Sequence, residues 1–165
     1  MLIKLKKSIP FSRRALPICL FKNVTAAPGN LAAATGYGII FEGVKNIDST
    51  LKKGFLPEDD MNFNRTTLLH ETPLKIQDIN HCKTFATNNK ICAGGIMHGT
   101  TPGDSGGPLL LVRNNRWVQY GITSYGNYES VPNDVKKVSD RGVYIKVSAY
   151  CDWIKDKTSG DIKCQ

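Results

Sequence analysis

The run Thr101-Pro102-Gly103-Asp104-Ser105-Gly106-Gly107-Pro108-Leu109-Leu110 constrains the fold more than any other stretch of this 165-residue chain. Gly103 lets the backbone turn tightly, and Pro108 with Leu109, Leu110 and Leu111 leads out of that turn into a buried strand. The turn also has a chemical use. A serine hydroxyl is a poor nucleophile until its proton is taken and the developing oxyanion is stabilised. A tight turn at Gly103 lets the amides of Gly103 and Ser105 point the same way and form an oxyanion hole, while Gly106 and Gly107 leave room for a substrate carbonyl beside the hydroxyl. The duller alternative is an ordinary turn, since Gly, Asp, Ser and Pro favour turns in any protein. The full hexapeptide with its flanks weighs against it.

Fifteen Gly and eight Pro among short apolar runs point to all-β structure, and 165 residues at 41% apolar are enough for one buried core. The formal charge of +8 raises the question of nucleic acid. Lys and Arg are scattered, however, with no nucleic-acid motif and few aromatics beside them, so the charge reads as that of a basic secreted protein attracted to polyanions or acidic partners. No apolar run approaches the length of a membrane span. Two sequons, Asn23-Val24-Thr25 and Asn64-Arg65-Thr66, fit an extracellular chain. Five cysteines is an odd number, and no C-x-x-C or paired-His spacing suggests a metal or cofactor site.

The Ser105 segment resembles the chymotrypsin-like serine endopeptidases, and the likeness runs through most of the chain. Lys90-Ile91-Cys92-Ala93-Gly94-Gly95 is similar to that family's I-C-A-G element, and Tyr120-Gly121-Ile122-Thr123-Ser124-Tyr125-Gly126 to its G-I-x-S-W-G strand. Gly142-Val143-Tyr144-Ile145-Lys146-Val147, followed by Ser148-Ala149-Tyr150-Cys151-Asp152-Trp153-Ile154, resembles its last strand and terminal helix. Leu16-Pro17-Ile18-Cys19-Leu20 resembles its interdomain P-I-C-L-P, and Thr35-Gly36-Tyr37-Gly38 its T-G-W-G. The resemblance implies an all-β chain, the C-terminal six-stranded antiparallel barrel of a two-barrel fold with a short C-terminal α-helix. Residues 1–10 would be a remnant closing strand of the first barrel, 11–33 a connector, 34–147 the second barrel, and 148–165 the helix and tail. Strands are expected near Tyr37–Gly43, Leu68–Ile76, Lys90–Ala93, Gly107–Val112, Trp117–Ser124 and Gly142–Val147. The register of residues 42–67 stays open. Either an insertion precedes a strand at Leu68–Ile76, or Leu51–Leu56 is that strand, or the coding sequence is mis-assembled there.

The resemblance also assigns roles. Ser105 is the nucleophile, Gly103 and Ser105 form the oxyanion hole, and Asp104 binds the amino terminus released when a zymogen is cut. That terminus would belong to a preceding segment, so Asp104 is expected to be unpaired in this chain. The substrate pocket has its base at Gly99 and its walls at Ser124, Tyr125, Gly126 and Gly142. With no acid between Gly95 and Pro102, an apolar or small side chain is expected before the scissile bond; Asp140, near the rear wall, is the one acid able to overturn this. Cys82 and Cys92 match the family's bridge beside the pocket, Cys151 and Cys164 can pair across the helix and tail, and Cys19 is left for a pro-domain or the missing N-terminal half. Two further family bridges lack both ends, with Leu111 and Thr101 standing at cysteine positions.

The catalytic histidine and aspartate of the family would lie before Met1, as would a signal peptide. His98 lies seven residues before Ser105 but has no carboxylate partner in the sequence, and His70 and His81 read as structural or surface residues. The expectation is therefore a secreted serine endopeptidase present as a fragment inactive alone, acting on a protein or peptide substrate and open to protease inhibitors. The alternative is an inert homologue serving as a binding or regulatory module.

Overall fold

The computed structural model describes residues 1–45, 58–84 and 87–165. Six strands close into an antiparallel barrel: β1 (Leu31–Gly36), β4 (His70–Gln77), β5 (Lys90–Gly94), β6 (Pro108–Arg113), β7 (Arg116–Val131) and β8 (Asp134–Lys146), in the order β1-β4-β5-β8-β7-β6. Closure comes from β1, which pairs with β4 along its length and with β6 at Ala33↔Leu110 and Ala34↔Leu109. A closed barrel leaves no open edge in the sheet. Alternate residues point inward, and Leu74, Ala93, Leu109, Leu111 and Tyr144 are fully buried there. Leu111 thus fills with apolar packing the position at which the family resemblance places a half-cystine.

Between β1 and β4 a separate hairpin forms from β2 (Ile40–Val44) and β3 (Met61–Asn64). Its Phe41 and Phe63 rings meet edge-on, with centroids 6.1 Å apart, and Met61 packs with Val138 beneath them. The strand expected near Tyr37–Gly43 is therefore divided. The barrel takes Leu31–Gly36, and the chain resumes as β2 only at Ile40. The alternative strand at Leu51–Leu56 lies outside the described residues.

The expected strand at Met1–Lys7 does not form. Residues 1–10 carry no strand, and Leu2, Ile3, Leu5 and Ile9 are exposed. A strand needs a partner for its backbone groups, and the barrel, already closed, offers none. The connector is anchored further along, where Cys19 bridges Val118 and Val24 enters the core.

The longest departure from expectation is the β7–β8 hairpin. Strands were expected to stop at Ser124 and resume at Gly142, because the residues between are polar. Instead the ladder runs on through Tyr128↔Asp140 to Val131↔Asp134. Pro132 and Asn133 make the turn, with Asn133 at φ 64°, as a Pro-then-left-handed turn requires. After β8, a 3-10 turn (Val147–Tyr150) leads into helix α1 (Cys151–Lys157). The buried face of α1 is Cys151 and Ile154; Tyr150 and Trp153 lie partly exposed and edge-on to each other.

Two disulfides close short loops, Cys82–Cys92 and Cys151–Cys164, and Cys19 is a free thiol. Cys82–Cys92 ties the 3-10 turn Ile79–Cys82 to β5, beside Val143 of β8. Replacing both Cys82 and Cys92 by Ser is expected to cost roughly 2–3 kcal/mol, the loop-closure value for a short bridge, read as a lower urea midpoint.

Candidate active site

Ser105 stands exposed at the end of the turn that enters β6. The turn is fixed by Asp104 N–H to Thr101 O (3.0 Å), Gly107 N–H to Asp104 O (2.8 Å) and Gly106 N–H to Thr123 O (2.9 Å). Gly103 takes φ 105° and packs on Gly38, and Gly106 takes φ 85°, both in the region that favours glycine. Among the described residues, the N–H groups of Gly103 and Ser105 and the Ser105 hydroxyl have no protein partner. Two unspent amides flanking an exposed hydroxyl are what stabilisation of an oxyanion requires.

Among the described residues Asp104 has no cationic partner, but its carboxylate is not free of hydrogen bonds. Its carboxylate accepts the Gly38 N–H (2.8 Å), the Thr101 N–H (2.9 Å) and the Thr101 hydroxyl (3.3 Å). Thr101 also donates to Ile39 O (2.6 Å), so the position of a missing half-cystine is spent on fastening this loop to β2's approach. Gly36 and Gly38 are required by this contact: a Cβ on either would stand 2.0 Å and 2.4 Å from the Asp104 oxygens. That explains why the chain breaks between β1 and β2.

Beside Ser105 lies a cleft of about 640 Å³ lined by Thr100, Thr101, Ser124, Tyr125, Gly126 and Tyr128, among others. Its β7 wall is shaped by a bulge at Ser124, where the β7–β8 ladder skips a residue. Tyr125 hydrogen-bonds Thr84 through its hydroxyl (2.8 Å), and that bond lowers the phenol's pKa against the small opposing effect of burial. Gly142 is buried behind the wall, opposite Gly126 in the ladder. Gly99 does not line this cleft. It lies against Asp140, whose side chain occupies the space a Gly99 Cβ would need, at 2.4 Å.

Asp140 is 3% exposed, and only the backbone amides of Thr100 and Arg141 approach its carboxylate oxygens, neither in a well-formed hydrogen bond. Burial pushes its pKa up to about 7, only partly opposed by the Thr100 and Arg141 amides. It lines a second cavity of about 260 Å³ with Asp104, Gly99, His98, His70 and Glu71. His98 pairs with Thr72 (2.9 Å) and His70 with Thr66 (3.1 Å); no histidine lines the Ser105 cleft. The sequence reading named Asp140 but missed Tyr128 and Glu129. Tyr128 donates to Thr100 O (2.8 Å), and Glu129, which lines the cleft together with Lys83, pairs with Lys83 (2.6 Å) and Arg141. Alternation counted back from Gly142 and forward from Gly126 was the available signal.

No group of His, Cys, Asp and Glu among the described residues is arranged to hold a metal, and no helix among them is long and apolar enough to cross a membrane.

A family model described as Trypsin matches residues 1–154. The chain is 28% identical over 164 residues to an Ovochymase of Halocynthia roretzi, covering 93% of this chain and 9% of that protein. It is 29% identical over 164 residues to Vitamin K-dependent protein C of Oryctolagus cuniculus, covering 93% of this chain and 31% of that protein. The chain thus spans less than a third of the length of either relative. Because the match spans residues 1–154, the whole barrel and the start of α1, on a closed six-stranded sheet of the expected kind, this chain belongs to the trypsin family, the chymotrypsin-like serine proteases.

Proposed function

We propose that this chain is the nucleophile-bearing part of a secreted serine endopeptidase. The observation that carries the reading is the exposed Ser105 hydroxyl between the unspent amides of Gly103 and Ser105, at the rim of a cleft of about 640 Å³. In the reaction the Ser105 oxygen attacks the substrate carbonyl carbon as its proton passes to a general base. The carbonyl oxygen gains the charge and is held by the two amides. Collapse breaks the C–N bond, the amine leaves with that proton, and water then cleaves the acyl ester. Asp104 orders the hole through its bonds to Gly38 and Thr101, and in the activated protein would take the new amino terminus. The exposed edge at Ser124 and Gly126 would hold substrate as an added strand.

The general base and its orienting aspartate belong, on this reading, to a segment preceding Met1, together with the first barrel. Support comes from exposed apolar residues of the N-terminal segment, Leu2, Ile3, Leu5, Ile9, Phe11 and Leu16, which suit burial against a second body. Cys19, with its free thiol, would join that segment or a pro-domain. Two disulfides suit an oxidising compartment.

The test is to map the 5′ end of the transcript, express the protein it encodes, and treat it with a fluorophosphonate. Labelling at Ser105, identified by mass spectrometry and abolished by Ser105→Ala, is the expected result. The 165-residue chain alone should label at least ~10³-fold more slowly, as for an enzyme lacking its base. A transcript that begins at Met1, with no labelling, would establish the inert module instead.

A further inference from the structure

Two charged residues line the Ser105 cleft, Lys83 and Glu129, and neither has a part in the chemistry of the nucleophile. Between Tyr125 and Glu129 the β7–β8 register is regular, so Tyr125, Asn127 and Glu129 share one face. Lys83 and Thr84 reach that face from the turn before β5. The Thr84 and Tyr125 hydroxyls are hydrogen-bonded at 2.8 Å, and the Lys83 ammonium stands 2.6 Å from Glu129 Oε1. Lys83 is fixed by its neighbours in sequence. It closes the 3-10 turn Ile79–Cys82 in the left-handed conformation, φ 48°, with its N–H on Asn80 O. It follows directly on Cys82, which the disulfide to Cys92 ties to β5.

The second Glu129 oxygen meets Arg141, its diagonal neighbour across the ladder. One carboxylate thus serves two cations, and one positive charge is left without a partner. The side chains differ in what they show to solvent: Arg141 is 17% exposed and Glu129 30%, but Lys83 is 70% exposed. The surplus charge is therefore presented by Lys83, at the cleft. An ammonium carries three donor hydrogens, and the Lys83 side chain has one hydrogen-bond partner among the described residues, Glu129. A further cation adds to the field from the same side, since Lys90 Nζ is 3.2 Å from Thr84 Oγ1. Among the described residues lining the cleft, Glu129 is the only acid. A concave wall with a surplus of one sign attracts the opposite sign.

We propose that Lys83 is a specificity-determining residue of the Ser105 cleft, and that it selects an acidic side chain, Asp or Glu, in the peptide laid along Ser124–Gly126. A peptide added to that edge as a strand turns alternate side chains to one face, and those on the Tyr125 side run toward Lys83. A carboxylate there accepts charge-assisted hydrogen bonds from the Lys83 hydrogens that Glu129 leaves unused, so the Glu129 pair need not break. The proposal rests on the reading of Ser105 as the centre of a peptidase, but its test does not require catalysis.

The experiment titrates the 165-residue chain with short acetylated and amidated peptides of Thr and Val that carry Glu, Gln or Lys at each position in turn. Amide shifts are followed by NMR in dilute buffer at pH 7. At one or more positions the Glu peptide should bind about fivefold more tightly than the Gln peptide, the scale of one partly exposed charge pair, and the Lys peptide more weakly still. The shifts should centre on Lys83, Tyr125 and Gly126. Lys83→Gln should abolish the preference for Glu, Lys83→Arg keep it, and Glu129→Gln enlarge it by freeing Lys83. Lys155→Gln makes the same charge change on α1, outside the cleft, and should leave the preference intact; it separates a local contact from attraction to the net charge of +8. Each variant's native amide spectrum is recorded first, and Lys83→Asn, suited to the left-handed position, serves if Gln disturbs the turn. Equal binding of Glu and Gln peptides at every position, no binding at all, a preference that survives loss of Lys83, or one lost equally in Lys155→Gln would overturn the proposal. Labelling of Ser105 in the longer protein is a separate readout, so failure of the peptidase reading and failure of the Lys83 assignment are told apart.

Discussion

Replacing Asp140 by Asn should stabilise the chain at pH 8 by about 4 kcal/mol and leave its stability at pH 4 nearly unchanged. The folded-state pKa is raised, chiefly by burial, from an ordinary 3.8 to about 7. Between those values the folded chain holds a proton that the unfolded chain has lost. The native protein therefore loses about 1.4 kcal/mol of stability for each pH unit as pH rises through that window, and the penalty is complete above pH 7. Asn cannot ionise and carries no such penalty. Urea denaturation of both proteins at pH 4 and pH 8 measures the difference. Comparison with the variant removes the contributions of every group the two proteins share. An equal gain at the two pH values would mean that the carboxylate is solvated rather than buried.

Gly94→Ala should be the most damaging single methyl addition, costing about 3 kcal/mol. The added Cβ would stand 2.1 Å from the Asp140 carbonyl oxygen, a backbone atom that cannot rotate away. Either β5 parts from β8 at its end or Asp140 shifts out of its place against Gly99. Gly106→Ala offers the contrast: its Cβ would meet nothing within 4 Å, and only the φ of 85° is costly, at about 1 kcal/mol. Thermal or urea unfolding of the two variants distinguishes a clash from a backbone preference. Comparable losses would show that the β5–β8 contact gives way easily.

How far the sequence discloses this fold varies by segment. Where apolar runs sit between turn residues, as in Leu109–Leu111 or Ile91–Ala93, strand and burial were both legible, because hydrophobic pattern and turn chemistry agree. The β7–β8 extension was not. Residues 127–141 are polar on both faces for two different reasons: one face carries the Glu129 ion pairs, the other a carboxylate and a phenol beside a cleft. A polar stretch of that kind reads as loop until its partner is known. The break after Gly36 was hidden for a related reason, since its cause is Asp104, far along the chain. The strand expected at Met1–Lys7 shows the converse, an alternating pattern without a partner to pair with. In the site, the Ser105 turn was legible as local chemistry. That the Asp140 side chain fills the space beside Gly99 was not, because it depends on which face of a hairpin turns inward.

The cleft wall is held together differently from the two disulfide-closed loops. Tyr128 to Thr100, Glu129 to Lys83 and Arg141, and the β7–β8 ladder stand where the family resemblance leads one to look for a disulfide. Such a wall is indifferent to redox state and sensitive to ions. A thiol reductant that opens Cys82–Cys92 leaves the hairpin's own bonds untouched, whereas salt weakens the partly exposed Lys83–Glu129 pair first. The shape of the recognition surface is thereby tied to ionic milieu rather than to oxidation.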